Sequence, residues 1–144
     1  MTAASPVIRK ATPADQPRIH AIRMDVRENV LSDPSRVTDA EVAWYREQAI
    51  FLVSEADGEI AGFTCANPQT GLIWALFVDP AHEGRGHGRA LLDAALAALT
   101  AAGIVQAHLT TGAGTRAERF YRRHGWRETG RSLDDNIVFI HPLG

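Results

Sequence analysis

Residues 78–92 read VDPAHEGRGHGRALL, and this stretch decides the fold. An apolar run ends at Val78, and a helical pattern of leucines follows the loop. Between them the chain places glycines at alternate positions: Gly84, Gly86 and Gly88. Glycine lets the backbone approach a ligand closely, and the exposed N–H groups and positive dipole at a helix start favour a phosphate or diphosphate. Arg85 and Arg89 can add charge-assisted contacts, so the stretch predicts a strand, an anion-binding loop and a helix.

Two other kinds of phosphate-binding loop do not match this stretch. A P-loop requires GxxxxGK[ST], and the chain contains no Gly-Lys pair. A dinucleotide-binding loop requires GxGxxG, but the third glycine would fall at Arg89 when counted from Gly84 and at Leu91 when counted from Gly86. An NAD- or ATP-binding module is therefore disfavoured. A tight turn that binds nothing is the plain alternative, and the flanking strand, arginines and helix weigh against it.

The rest of the chain alternates between strand and helix patterns. Asp57-Gly58 is a strong hairpin signal, Thr38 and Glu41 have capping-box spacing, and Gly103 stops a helix. The predicted strands are residues 7–10, 50–55, 59–66, 72–78, 104–110, 126–131 and 136–141. The predicted helices are residues 12–27, 38–48, 88–101 and 115–123. This order, β-α-α-β-β-β-α-β-α-β-β, predicts a mixed α/β (α+β) fold in one domain over residues 1–144, with the doubly apolar run 72–78 as a central buried strand.

The composition is that of an ordinary globular chain and excludes several classes of protein. The 144 residues are 45% hydrophobic and 22% charged, with a net charge of -2, unlike a disordered chain. This near-neutral balance argues against a broad face for nucleic acid or an anionic membrane. Cys65 is the only cysteine, so an internal disulfide is excluded. The start of the chain lacks a signal pattern, and no apolar run reaches the ~18 residues of a membrane span, so we expect a cytoplasmic protein.

A second motif lies downstream of the glycine loop, where residues 117–126 read AERFYRRHGW. Together with residues 76–92 it resembles the GCN5-related N-acetyltransferase (GNAT) family, whose motifs are G-x-G-x-G/A at a helix start and A-x-x-x-Y-x-x-x-G-[FW] later in the chain. The predicted order of elements is similar to that family along nearly the whole chain. The resemblance implies an acetyl-CoA-dependent N-acetyltransferase with a GNAT-like acyl-CoA N-acyltransferase fold.

The resemblance also implies where acetyl-CoA binds. The strand before the loop would be splayed from its neighbour, so that its backbone pairs with the pantetheine arm and polarises the thioester carbonyl at Leu76, Phe77 and Val78. The loop and helix start would cradle the pyrophosphate at Gly84, Arg85, Gly86, His87, Gly88, Arg89 and Ala90. Two positions depart from the family pattern, because Glu83 stands where Gln or Arg is frequent and Gly114 where an asparagine often contacts the cofactor. We expect Glu83 to point to solvent, and Thr115 is the candidate substitute for the asparagine.

Acetyl transfer to an amine needs a neutral nucleophile, stabilisation of the oxyanion and a proton for the departing thiolate. Tyr121 occupies the tyrosine position of the second motif, and its neutral hydroxyl can donate at pH 7, so it is the candidate general acid. A core aromatic on a helix is the alternative. The oxyanion donor would be a main-chain N–H near Leu76 or Phe77. The general base stays unassigned, since Asp25 and Glu28 read better as solvated surface charges.

The acceptor site would lie between the end of the first helix, the strand before the loop and the late loops. Its candidate residues are Arg27, Glu28, Asn29, Trp74 and Thr111. Ordinary helix termination at residues 27–29 and core packing of Trp74 are the alternatives. No metal is expected, because the histidines show no metal-ligand spacing: His82-Glu83 begins like H-E-x-x-H, but His87 falls one position late.

These features predict direct transfer of an acetyl group from acetyl-CoA to a primary amine of a small molecule. No appended peptide-binding segment or strongly charged groove favours a macromolecular acceptor. The alternatives are a protein N-terminal or lysine acetyltransferase and a non-catalytic acyl-CoA-binding sensor. The expected partner is the small-molecule amine, with neither nucleic acid nor membrane, and a homodimer remains open because dimers are common among similar folds.

Overall fold

The computed structural model describes residues 6–25 and 39–143. Its strands are β1 (Val7–Lys10), β2 (Ile50–Ala56), β3 (Glu59–Ala66), β4 (Ile73–Val78), β5 (Gln106–Thr111), β6 (Arg127–Arg131) and β7 (Ile137–Pro142). Its helices are α1 (Gln16–Asp25), α2 (Asp39–Gln48), α3 (His87–Ala101) and α4 (Arg116–Arg123). Short 3-10 turns at Pro13–Asp15 and Pro80–His82 precede α1 and the glycine loop. The mixed α/β class and the predicted order of elements are confirmed.

The strands form two antiparallel sheets, ordered β1-β2-β3-β4 and β5-β7-β6. A parallel bridge between Leu72 and His108 joins them, and the His108 N–H donates to the Gly71 carbonyl oxygen at 3.0 Å. Within the described residues, β4 and β5 form no ladder beyond this bridge. The splay of this strand from its neighbour, which the resemblance implied, is observed between β4 and β5, whereas the expectation that residues 72–78 form a central strand buried on both faces is wrong. β4 borders its sheet, and its apolar side chains are partly exposed because they face a wedge rather than a neighbouring strand.

A β-bulge at Trp74 shapes this border. Ile73 pairs with Ala66. The next pair joins Ala75 to Cys65, so Trp74 has no residue opposite it. The bulge interrupts the alternation of side chains along β4. Ile73 packs under α3, whereas Trp74 and Ala75 both pack under α1 and α2. A bulge also increases local twist, which turns β4 away from β5.

Two hydrophobic cores lie on opposite faces of the sheets. The first packs α1 and α2 onto β2 and β3, and its fully buried members include Ile19, Ile22, Phe51, Val53 and Phe63. The second packs α3 and α4 onto the other face, and its members include Leu92, Leu99, Leu109, Trp126 and Phe139. Burial of such side chains stabilises the fold by roughly 1.5–3 kcal/mol each. The two cores therefore stabilise, from opposite faces, the place where β4 and β5 separate.

The hairpin prediction is confirmed at Asp57-Gly58, where both residues have positive φ (55° and 78°). Residues 104–105, in contrast, do not belong to β5. Gly103 has a φ of 89°, and the Ile104 N–H bonds back to the Leu99 carbonyl at 3.0 Å. The apolar pair that looked like a strand start is therefore part of the helix end, where a residue with positive φ lets the backbone return to orphan carbonyls.

The first helix starts later than the predicted residue 12. Thr12 precedes a 3-10 turn, with its N–H donating to the Asp15 carboxylate at 2.7 Å, and α1 begins only at Gln16. The capping box predicted at Thr38 lies outside the described residues.

None of the described helices is long and apolar enough to cross a membrane. In residues 6–25 and 39–143, no group of three or more His, Cys, Asp or Glu side chains is arranged to hold a metal ion.

We predict that Gly62→Ala lowers the free energy of unfolding by about 1–3 kcal/mol, because overpacking of a well-packed contact costs this much. A Cβ at Gly62 would lie 2.5 Å from the Phe77 carbonyl oxygen and 3.2 Å from Leu91 Cδ1. Gly130→Ala on β6 is the matched control, since a Cβ there meets nothing within 4 Å. Denaturant unfolding measures both, and equal stability of the two variants would contradict the packing.

Candidate active site

The wedge between β4 and β5 opens into a groove of about 770 Å³. One wall consists of the end of β4 and the glycine loop, with Leu76, Val78, Gly84, Gly86, His87, Gly88 and Arg89. The other wall is one face of α4, with Arg116, Ala117, Phe120, Tyr121, Arg123 and His124. Both motifs singled out in the sequence therefore face the same space.

The three glycines serve this groove in two ways. Gly84 and Gly86 have φ of 77° and 86°, and nothing lies within 4 Å of a Cβ built on either. Their left-handed backbone, which side chains disfavour, is thus the structural reason for glycine at these positions. Gly88 lies in α3, and a Cβ there would sit 3.5 Å from the Phe120 ring of the opposite wall. Because Gly88 has no side chain, the backbone of α3 can approach the Phe120 ring closely at this point of the groove.

The start of α3 presents backbone donors to the groove. Gly86 is the N-cap, and the first intrahelical bond runs from the Ala90 N–H to the Gly86 carbonyl at 3.0 Å. The N–H groups of His87, Gly88 and Arg89 therefore have no acceptor inside the helix. Ala90, which was expected to bind the cofactor with its backbone, has already used its N–H. Together with the helix dipole, the remaining N–H groups form a site for an anion.

An ion pair anchors the loop at its first residues. The Asp79 N–H donates to Ala61 O at 2.7 Å, and its carboxylate accepts the Ala81 N–H at 3.1 Å. The same carboxylate pairs with the guanidinium of Arg18, which also donates to Ile60 O at 3.1 Å. Burial raises the pKa of Asp79, but the Ala81 N–H and Arg18 outweigh it and hold the pKa below its usual value. The loop thus starts from a charged, bonded carboxylate.

The buried imidazole of His87 connects the end of the glycine loop to β2. His87 is 1% exposed, and its Nδ1 lies 2.5 Å from the hydroxyl oxygen of Ser54 on β2. The ring of His82 meets it edge-on, with centroids 5.9 Å apart. Burial lowers the pKa of His87, and electrostatic repulsion from nearby His82 and Arg85 lowers it further. His87 is therefore neutral, and its side chain positions the helix start whose N–H faces the groove.

The border strand turns only some of its backbone groups toward the groove. The Phe77 carbonyl oxygen points at β3, because it lies 2.5 Å from a Cβ built on Gly62, and the Asp79 N–H also bonds to β3. Backbone groups alternate along a strand, so the N–H and carbonyl of Leu76 and Val78 point away from β3, toward the wedge. Of the three residues expected to contact the pantetheine arm with their backbone, Phe77 is thus oriented the wrong way.

Tyr121 lies where the groove meets a smaller cleft between β4 and β5. It is 6% exposed and packs against Trp126 and Phe139, with ring centroids 5.5 Å and 6.1 Å away. Both spaces include Tyr121 and Leu76 in their walls. Burial raises the pKa of Tyr121 well above its ordinary value, so the phenol is protonated at neutral pH, as a general acid must be before it donates. The core and catalytic interpretations of this residue are therefore compatible.

The smaller cleft brings together two of the five predicted acceptor residues, Trp74 and Thr111. The Trp74 ring stacks on Tyr45 of α2, with centroids 4.4 Å apart and planes 9° apart. Trp74 is thus both packed and partly exposed at the cleft. Arg27, Glu28 and Asn29 lie outside the described residues.

The two departures from the family pattern have local partners. Glu83 does not simply point to solvent, because its carboxylate pairs with Arg116 of α4 across the groove. The Thr115 hydroxyl donates to Gly112 O at 2.8 Å and accepts the Glu118 N–H at 3.2 Å. It caps α4 and is therefore occupied, which weakens Thr115 as a substitute for the missing asparagine.

Sequence reasoning missed Ser54, Arg18 and the partner of Glu83. Ser54 is 33 positions from His87, and Glu83 is 33 positions from Arg116. A buried polar partner on another element leaves no local pattern in the sequence. The one available signal was His87 itself, since an imidazole buried at a helix start requires a hydrogen-bond partner.

The comparison with protein families finds a match to the acetyltransferase (GNAT) family over residues 17–126. The matched range includes both walls of the groove. Among named proteins, the chain is 33% identical over 156 aligned residues to an aminoglycoside N(6')-acetyltransferase type 1 from Stenotrophomonas maltophilia. That alignment covers 99% of this chain and 97% of the relative.

Solved structures share the fold at low sequence identity. A GCN5-related N-acetyltransferase from Rhodopseudomonas palustris has a TM-score of 0.83 at 22% identity, and the match covers 99% of each chain. The PaiA N-acetyltransferase from Thermoplasma acidophilum, solved in complex with coenzyme A, has a TM-score of 0.73 at 17% identity, covering 96% of this chain and 99% of that one.

We predict that His87 makes the fold less stable as the pH falls below about 6.5, the ordinary pKa of histidine. The unfolded chain then binds a proton that buried His87, with its lowered pKa, does not bind. Stability is present above the unfolded pKa and is lost as the pH falls below it. His87→Gln should flatten this part of the pH dependence of the free energy of unfolding.

His20→Gln is the matched control, because His20 is an exposed histidine on α1. Denaturant unfolding between about pH 7.5 and pH 5.5 brackets the titration. An unchanged pH slope in His87→Gln, with the same slope in His20→Gln, would show that His87 is not held neutral.

Proposed function

Because this chain belongs to the acetyltransferase (GNAT) family and is an acyl-CoA-dependent N-acetyltransferase, we propose that it transfers an acetyl group from acetyl-CoA directly to a primary amine of a small molecule. One observation carries the proposal: a single groove is lined both by the start of α3, with its unpaired N–H groups, and by Tyr121. The first feature suits a diphosphate and the second a thiolate leaving group.

Successive parts of the groove match successive parts of the acetyl donor. The diphosphate is held by the N–H groups of His87, Gly88 and Arg89, with the Arg89 side chain and the exposed Arg85 adding positive charge. The pantetheine arm pairs with the outward backbone groups of Leu76 and Val78, as a further strand would. Gly84 and Gly86 leave the space above the loop open.

The reacting end lies where the groove and the cleft share Leu76 and Tyr121. The neutral amine attacks the thioester carbonyl carbon, forming a C–N bond while negative charge develops on the carbonyl oxygen. The Leu76 N–H donates to that oxygen. The C–S bond then breaks, and Tyr121 donates its proton to the thiolate. The proton that the amine nitrogen loses on becoming an amide passes through solvent and restores the tyrosine hydroxyl. The products are the acetylated amine and the free thiol.

The acceptor amine enters from the smaller cleft. Trp74 and Thr111 line it, and Trp74 presents an aromatic surface backed by Tyr45. Arg27, Glu28 and Asn29 complete the proposed acceptor set. The relative that matches over nearly its whole length is named for an aminoglycoside, so an amino sugar is the acceptor class that we favour over a peptide N-terminus or a lysine.

We predict acetyl-CoA-dependent release of CoA when an aminoglycoside with a free 6' amine is supplied. The matched control is an aminoglycoside with a hydroxyl group at that position, which should give no acetylated product. Mass spectrometry of the product and a thiol assay measure the reaction. Acetylation of peptide amines alone would support the protein acetyltransferase, and binding of acetyl-CoA without turnover on any amine would support the sensor.

We predict that Tyr121→Phe lowers kcat about 100-fold, the usual contribution of a general acid, while the Kd for acetyl-CoA changes little. Phenylalanine keeps the ring contacts with Trp126 and Phe139 and removes only the hydroxyl. Steady-state kinetics, calorimetry and thermal unfolding measure the three quantities. A variant with lower stability and unchanged kcat would return Tyr121 to a purely structural role.

A further inference from the structure

A buried hydroxyl on β3 lies opposite the residue whose N–H is the proposed oxyanion donor. Thr64 is fully buried and is paired with Leu76 of β4. Its neighbours Phe63 and Cys65 belong to the core under α1 and α2. Because side chains alternate along a strand, Thr64 points to the other face, toward α3. Its hydroxyl donates to the Ala75 carbonyl oxygen at 2.8 Å, so it joins β3 to the backbone of β4.

The other buried polar side chains in the described part of the chain serve different places. Asp79, Ser54 and His87 anchor the glycine loop. Asp15 lies in the turn before α1. A buried hydroxyl costs free energy unless it is hydrogen-bonded, and valine has almost the same shape as threonine, so packing alone does not require a hydroxyl at position 64. The bond to β4 is therefore the structural reason for threonine there.

The Thr64 bond is made directly after the bulge of β4. Trp74 has no residue opposite it, so the bulge adds one residue to the strand. An extra residue reverses the direction of the groups that follow it. Without the bulge, the Leu76 N–H would point at β3 rather than into the wedge. The Thr64 hydroxyl holds the Ala75 carbonyl toward β3 just after this reversal and so fixes the direction of the backbone at that point.

The Ala75 carbonyl and the Leu76 N–H belong to one peptide group. That group is planar, and in its trans form the C=O and N–H point in opposite directions; the described chain has no cis peptide bond. A carbonyl held toward β3 therefore directs the Leu76 N–H toward the groove. Hydrogen bonds in a chain also polarise one another, so a bond accepted by the carbonyl makes the N–H a stronger donor.

We propose that Thr64 is a positioning residue for acetyl transfer, whose hydroxyl orients and polarises the peptide group that stabilises the oxyanion. This inference rests on the proposed function, since it assumes that the Leu76 N–H donates to the thioester carbonyl. Thr64 lines neither the groove nor the smaller cleft. It therefore acts through the peptide group between Ala75 and Leu76 and not by contact with the acetyl donor or the acceptor.

Thr64→Val tests the hydroxyl, because valine keeps the shape of the side chain and cannot donate. The single-turnover rate of acetyl transfer should fall about tenfold, a part of the 100-fold to 1000-fold loss that follows removal of a whole oxyanion donor. The Kd for acetyl-CoA should change little, since the groove keeps its walls. Thr64→Ser keeps the donor and should recover most of the rate.

Isotope-edited infrared spectroscopy of bound acetyl-CoA, labelled at the acetyl carbonyl carbon, measures the hydrogen bond itself. Donation from the Leu76 N–H should lower the carbonyl stretching frequency relative to free acetyl-CoA. The frequency should return toward the free value in Thr64→Val and stay low in Thr64→Ser. A side chain that only stabilised the fold would leave this frequency unchanged in the folded variants.

Thr100→Val is the matched control. Thr100 makes the same kind of bond, from its hydroxyl to the Leu96 carbonyl at 2.9 Å, in a part of α3 outside the groove. This variant should keep both the wild-type rate and the wild-type frequency. If thermal unfolding shows that Thr64→Val is not folded, Thr64→Ala removes the same hydroxyl and takes its place.

Three results would overturn the inference. The first is a wild-type rate or frequency in the folded variant that lacks the hydroxyl, and the second is an equal loss of rate in Thr64→Ser. The third is a wild-type enzyme that transfers the acetyl group without lowering the carbonyl frequency. A wild-type protein that acetylates no amine and does not bind acetyl-CoA would instead overturn the proposed function, so the two failures are distinguishable.

Discussion

The rest of the structure depends on β4, which pairs with a neighbouring strand along only one of its two edges. β4 is hydrogen-bonded to β3 along one edge, while its other edge meets β5 only at the Leu72–His108 bridge in the described chain. An unpaired strand edge buried in a protein is costly because its N–H and carbonyl groups need partners. Here that edge lines a groove, where an extended ligand can supply them. The Trp74 bulge makes this arrangement stable, because it allows both faces of β4 to pack into separate cores while the strand turns away from its neighbour.

The loop after β4 converts this opening into a directed site. Left-handed φ at Gly84 and Gly86 brings the chain around so that α3 begins with its N–H groups toward the groove. The anchors of the loop are side chains from other parts of the sheet and from α1, and they combine a charged pair at Asp79 with a neutral pair at His87. Because Asp79 and His87 fix the two ends of the loop, the N–H donors at the start of α3 are positioned before any ligand binds. Electrostatic stabilisation then requires the least reorganisation.

The charge of the groove depends on Glu83, which stands at a motif position where Gln or Arg is frequent. An acidic residue at position 83 would repel a diphosphate if it faced the ligand. It is instead engaged by Arg116 from the opposite wall, so the carboxylate and one arginine offset each other. Both side chains are largely exposed (41% and 57%), so the pair itself adds little to stability.

The sequence by itself determined the order of strands and helices, because this order follows from periodicity. Glycine spacing and the second motif also singled out the glycine loop and Tyr121, which the fold brings to one groove. The sequence also placed the 57–58 hairpin and the end of α3 at Gly103 correctly. Only the tertiary structure decided that β4 carries a bulge at Trp74, that Phe77 turns its backbone away from the groove, and that Ser54, Arg18 and Arg116 hold the loop. The physical reason is distance along the chain: these features depend on contacts between residues tens of positions apart and on a single bulged residue, which shift register and orientation without changing any local pattern.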